Sequence, residues 1–162
     1  MLETAVRGRS GSALDGTRGK ETSMTTARDI MHAGAKCVGE DESLYKAAQM
    51  MRDLEVGSLP ICGKDDRLHG MVTDRDIVIT CCAEARNPAD VMASELADGT
   101  PHWVDAGSDM RKILQVMEEH KIRRLPVIDD HRLVGMISEA DLARNLSDEE
   151  VAHFVESVYA VT

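Results

Sequence analysis

Aromatic side chains are nearly missing from this chain, which has one Trp, one Phe and two Tyr among 162 residues. Stacking platforms for bases are therefore scarce, and aliphatic residues with ten Met must fill the core. Basic charge is short as well: 19 Lys and Arg face 29 Asp and Glu, for a formal charge of −10. That balance repels nucleic acid and anionic lipid, and the bases do not cluster beyond Arg123 and Arg124 and a few near the start. No apolar run reaches the length of a membrane span. Among Cys37, Cys62, Cys81 and Cys82 there is no C-x-x-C pair, and the six histidines show no i, i+4 pairing on a helix. Neither nucleic acid nor membrane is an expected partner, and no metal site is assigned; one built by folding from dispersed histidines stays open.

Residues 1–23, "MLETAVRGRSGSALDGTRGKETS", mix Gly, Ser, Thr and charge without the apolar centre of a secretory signal. They read as a disordered tail, a mis-called start with Met24 as the true first residue, or a cloning remnant. A cytoplasmic location is the expectation, with leaderless secretion left open.

What the chain does have is a repeat. "SLYKAAQMMRDLEVGSLPICGKDDRLHGMVTDRDI" (43–77) lies over "DMRKILQVMEEHKIRRLPVIDDHRLVGMISEADL" (109–142). With an offset of 66, Leu44 meets Met110, Met51 meets Met117 and Pro60 meets Pro126. One residue is then dropped, and an offset of 65 matches Leu68 with Leu133, Gly70 with Gly135 and Asp76 with Asp141.

Each copy spells the same string. Apolar residues at 44, 47, 48 and 51, and at 110, 113, 114 and 117, mark one buried helical face. Ser43 and Ser108, or a neighbouring Asp, are the candidate caps. "GSLPIC" and "RRLPVI" read as strands that end in charged turns, and "LHGMVT" and "LVGMIS" as the strands that follow. Helices are expected at 74–83 and 139–146. Shorter ones are expected at 26–31 and at 88–97, the latter with Asn87 as cap and Pro88 at the first helical position. "SDEE" (147–150) matches a capping box, and Val151, Phe154, Val155 and Val158 stripe the helix it opens. The expected fold is α/β (α+β): two β-α-β-β-α units of roughly 55–60 residues, each marginal alone because it buries too little surface.

These motifs resemble a tandem pair of cystathionine-β-synthase (CBS) domains, a Bateman module. The resemblance covers about 25–146 and rests on "VGSLPIC…GMVTDRDI" and "IRRLPVID…GMISEADL". It implies domains at 24–84 and 87–146 followed by a C-terminal helix at 147–162, packed sheet to sheet with pseudo-twofold symmetry. It also implies a homodimer of the stand-alone type.

The segment Thr73–Asp74–Arg75–Asp76 can be read in two ways. As a helix start, Thr73 is the cap and the acids suit the positive helix end. Yet a cap needs only the hydroxyl, and the second copy keeps the aspartate too, as Ser138 and Asp141. The resemblance then makes Asp76 and Asp141 ribose acceptors, with Thr73 and Ser138 beside them. Ser58 and Arg124, each just before Leu-Pro, line the same cleft; Arg124 would fork onto a phosphate or else sit in a surface ion pair.

No cofactor is required; AMP, ATP or S-adenosylmethionine is the ligand type implied, in a regulatory or sensor module tied to stress or hypoxia. Few cationic groups are expected in the cleft. The alternative is a ligand-free pair acting as a structural or interaction protein, redox-responsive through a disulfide between Cys37 and Cys62 on neighbouring strands. No catalytic residue is assigned: Asp74 and Asp76 point to different helix faces, and neither a nucleophile–base set nor a phosphate-cradling glycine loop is present. The protein partner is unknown.

Overall fold

A computed structural model describes residues 24–97, 99 and 101–160; the reading of residues 1–23 lies outside them. Its first half contains α1 (Ala27–Ile30), β1 (His32–Ala33), β2 (Val38–Gly39), α2 (Leu44–Leu54), β3 (Ser58–Cys62), β4 (Leu68–Thr73) and α3 (Asp74–Ile77). The second half contains β5 (Val104–Asp105), α4 (Met110–Glu119), β6 (Arg124–Asp129), β7 (Arg132–Ser138), α5 (Glu139–Ala143) and α6 (Asp148–Tyr159). The expected string occurs twice, as β2-α2-β3-β4-α3 and β5-α4-β6-β7-α5.

Local chemistry explains the central helices. Ser43 caps α2 by accepting from Lys46 N at 3.2 Å, and Leu44, Ala47 and Met51 face inward. Asp109 caps α4 by accepting from Lys112 N at 2.8 Å, so the aspartate takes the place that Ser108 shared in the sequence reading. A carboxylate next to the first-turn N–H groups also suits the helix dipole. Ile113, Val116 and Met117 are the buried face of α4.

Two sheets result. One has the order β2-β3-β4, with β2 parallel and β4 antiparallel to β3. The other has the order β1-β7-β6-β5. Each covers a separate core. Val38, Leu44, Ile61 and Val72 centre the first, and Ile113, Met117, Leu125, Ile137 and Phe154 the second. Fully burying one such side chain contributes roughly 1.5–3 kcal/mol.

Chain order and packing part company at the leading segment of each unit. β1 pairs antiparallel with β7, His32 opposite Met136, and Ala27 and Ile30 enter the second core. Reciprocally, Val91 and Ala93 enter the first core. Each half thus completes the other. Glycine makes the crossings fit: a Cβ on Gly135 would lie 2.8 Å from His32 O, and one on Gly70 would lie 2.9 Å from Ala97 Cα.

Three expected helices differ. Residues 88–97 form no α-helix; a 3-10 turn, Ala93–Leu96, is what remains. Extended pairing competes for its backbone: Leu44 N donates to Val91 O, Ala93 N to Glu42 O and Ser94 N to Glu40 O. Asn87 still accepts from Ala89 N at 3.3 Å, but it opens a turn. The helix expected at 74–83 is α-helical only to Ile77 and continues as a π-helical turn, Val78–Ala83. Ile77, Val78, Ile79 and Thr80 are all β-branched, which crowds a standard α-turn. Finally, α5 stops at Ala143, and Asn145 and Leu146 close the turn by donating to Leu142 O.

In α6, Ser147 and Glu150 form the expected capping box, and Phe154 and Val158 pack inward. Val155 faces out and is 44% exposed. Among the described residues no helix is long and apolar enough to cross a membrane.

Candidate functional site

The Thr/Ser-x-x-Asp segments sit where β4 runs into α3 and where β7 runs into α5. Asp76 Oδ2 accepts from Thr73 N at 2.8 Å and Thr73 Oγ1 at 2.7 Å, while Asp76 N donates to Thr73 Oγ1 at 3.1 Å. Asp141 Oδ2 likewise accepts from Ser138 N at 2.8 Å and Ser138 Oγ at 2.6 Å. These are capping boxes with Asp at the third helical position. The premise that a cap has no use for the aspartate is therefore wrong. A hydroxyl satisfies one stray N–H, and the carboxylate three residues on satisfies another. Thr26 with Asp29 and Ser147 with Glu150 repeat the arrangement.

The two boxes differ in their surroundings. A cleft of about 560 Å³ opens between the sheets, lined by Ser58, Leu59 and Pro60 from β3 and by Met136, Ile137, Ser138 and Asp141 from β7 and α5. Arg124, Arg144, Lys36, His32, Glu55 and Val56 complete its wall. Of the six residues singled out from sequence, Ser58, Arg124, Ser138 and Asp141 meet here. Thr73 and Asp76 do not line it.

Burial sharpens the distinction. Among the described residues, the buried polar side chains are Ser58, at 8% exposure, and Asp141, at 6%. Both border this cleft. Asp141 Oδ1 also accepts from Arg144 Nη2. Arg124 borders the opening and has no ion-pair partner among the described residues.

The lining is more cationic than expected: Lys36, Arg124 and Arg144 face only Glu55 and Asp141. The overall charge of −10 hid this, because acids spread over the surface say nothing about one groove. Arg144 was legible, lying three residues past Asp141 on one helical face. Lys36 and His32 carried no such signal, since the β1–β7 pairing brings them over.

Cys37 and Cys62 form a disulfide with Cα atoms 5.6 Å apart. The parallel register sets Gly39 beside Cys62, so the bond joins the residue just before β2 to the last residue of β3. Cys81 is buried and Cys82 exposed, both as thiols, and burial pushes the Cys81 thiol pKa up. Two of the histidines meet: His102 stacks on His120, with ring centroids 3.4 Å apart, while His69 Nδ1 lies 2.9 Å from Glu40. Among the described residues no three His, Cys, Asp or Glu come together as metal ligands would.

Comparison with known proteins agrees with this architecture. The family model described as CBS domain matches residues 27–80 and 89–148. Hypoxic response protein 1 of Mycobacterium tuberculosis strain H37Rv is 55% identical over 135 residues, covering 83% of this chain and 94% of that protein. A crystal structure of hypoxic response protein I with two coordinated zinc ions matches at 58% identity and TM-score 0.69, over 76% of this chain and all of that one. The CBS domain pair of protein MJ0100, solved in complex with 5′-methylthioadenosine and S-adenosyl-L-methionine, shares the fold. It has 22% identity and TM-score 0.66, and the match covers 75% of this chain and 95% of that one. This chain belongs to the CBS-domain family, as a tandem pair of CBS domains related to mycobacterial hypoxic response protein 1.

Proposed function

We propose that the chain is a non-catalytic regulatory module, a homodimer acting in a stress or hypoxia response, whose cleft takes an adenosine-type nucleotide. The observation that carries this reading is convergence: Ser58, Arg124, Ser138 and Asp141, drawn from both units, border one cleft of about 560 Å³. A volume in that range suits a small ligand. Lys36, Arg124 and Arg144 supply cations for phosphate, and the carboxylate of Asp141 is an acceptor for ribose hydroxyls. The adenosine derivatives held by the MJ0100 pair support the ligand class, and the kinship with hypoxic response protein 1 supports the setting.

Thermal denaturation with AMP, ATP and S-adenosylmethionine tests the reading. A ligand that binds only the folded state adds about 2.7 kcal/mol at a hundredfold excess over its Kd. AMP is expected to raise the melting temperature; no shift with any of the three at millimolar concentration would contradict the proposal.

A second reading rests on the disulfide. Cys37–Cys62 is of a kind uncommon in reducing compartments, and it pins the strand that follows cleft residues 32–36. On that reading the pair is a ligand-free, redox-responsive interaction protein. Its melting temperature would respond to a dithiol reductant and to no nucleotide.

A further inference from the structure

The two capping boxes are alike up to the aspartate and differ three residues beyond it. The offset of 65 places Arg144 in the second copy opposite Ile79 in the first. Arg144 Nη2 donates to Asp141 Oδ1, so both oxygens of Asp141 are engaged, Oδ2 by Ser138. Asp76 Oδ2 is held by Thr73 in the same manner, but its Oδ1 has no partner among the described residues. The cleft therefore lies on the side where the carboxylate is already occupied.

The arginine is suited to leave. Its side chain is 67% exposed, whereas that of Asp141 is 8% exposed. An ion pair with one partner largely in water is weak and salt-sensitive. The departing guanidinium would stay in the same cleft as Lys36 and Arg124.

We infer that Arg144 is a specificity-determining latch that occupies the Asp141 oxygen needed by a ribose diol and is displaced when a ligand binds. This rests on the reading of the cleft as a nucleoside site. Ribose hydroxyls donate, and a diol needs two acceptor positions; with three hydrogen bonds already on the carboxylate, the guanidinium leaves it one short. A neutral nucleoside that displaces Arg144 gives the cation no anion in return. A nucleotide offers its phosphate, which a guanidinium can grip with two parallel hydrogen bonds. The latch therefore selects nucleotide over nucleoside.

The test is calorimetric titration of the full chain, Arg144→Ala and Arg144→Gln with adenosine, 2′-deoxyadenosine and AMP, with folding checked by urea denaturation. Both variants are expected to bind adenosine roughly three- to fivefold more tightly than the parent. Neither should bind AMP more tightly, so the preference for AMP over adenosine shrinks. Adenosine should gain more than 2′-deoxyadenosine, which lacks one competing hydroxyl. Unchanged or weaker adenosine binding in both variants, with AMP bound by the parent, overturns the latch and leaves the cleft reading standing. No binding of any ligand by any of the three proteins removes the cleft reading itself, and the latch with it.

Discussion

Gly135 faces Met31 so closely that a Cβ there would lie 2.5 Å from Met31 Sδ and 2.8 Å from the neighbouring His32 carbonyl oxygen. The flexible thioether can swing away, but the carbonyl belongs to the β1–β7 ladder and cannot. Gly70 has the same relation to the Ala97 backbone. Gly135→Ala and Gly70→Ala are each expected to destabilise the chain by roughly 1–3 kcal/mol through overpacking. Urea denaturation monitored by circular dichroism measures this. A pair of neutral substitutions would mean that the exchanged segments are not held as described.

The capping boxes predict a pH signature. Hydrogen bonds from the Thr26 backbone and hydroxyl hold the Asp29 carboxyl below its ordinary pKa, and those from Ser147 do the same for Glu150. A carboxylate whose pKa is depressed by folding adds stability that is complete above the unfolded pKa. That stability is lost as pH falls through the folded value. Asp29→Asn and Glu150→Gln should therefore flatten the acid limb of the stability curve while leaving its form near neutrality unchanged. Ser138→Ala should cost about 1 kcal/mol at neutral pH as the loss of one cap.

Much of the fold was legible because its signals are local. Leu44, Ala47 and Met51 repeat at helical spacing, and the matched Leu-Pro and Gly-Met positions reveal two copies of one strand pair. The exchange of leading segments was not legible. β1 is two residues long, and its partner lies about a hundred positions away. Residues 88–97 carry helix-forming side chains and a Pro at the right place, yet long-range backbone pairing with residues 40–44 prevails. Ser147 with Glu150 shows in the sequence as a capping box, while Ser138 with Asp141, of the same geometry, reads equally as a helix start and as a ribose acceptor. Sequence spacing alone cannot separate a cap from a site. Burial and the cleft beside it set the Asp141 box apart from the other three.

The disulfide yields a separate prediction. Cys37 and Cys62 are 25 positions apart, and closing a loop of that size is worth roughly 3 kcal/mol in chain entropy. Cys37→Ser, or treatment with a dithiol reductant, should lower stability by up to that amount. Mass analysis without reductant should find two free thiols, those of Cys81 and Cys82. Four would show that the bond is absent.

The central claim is that both units jointly enclose the ligand cleft around Asp141. Amide chemical shifts of the full chain, followed through a titration with AMP, test it most directly. The account predicts saturable shifts at 32–36, 58–59 and 136–144, drawn from both halves of the chain and weakened by Asp141→Asn. Shifts confined to one half, or none at millimolar AMP, would contradict it.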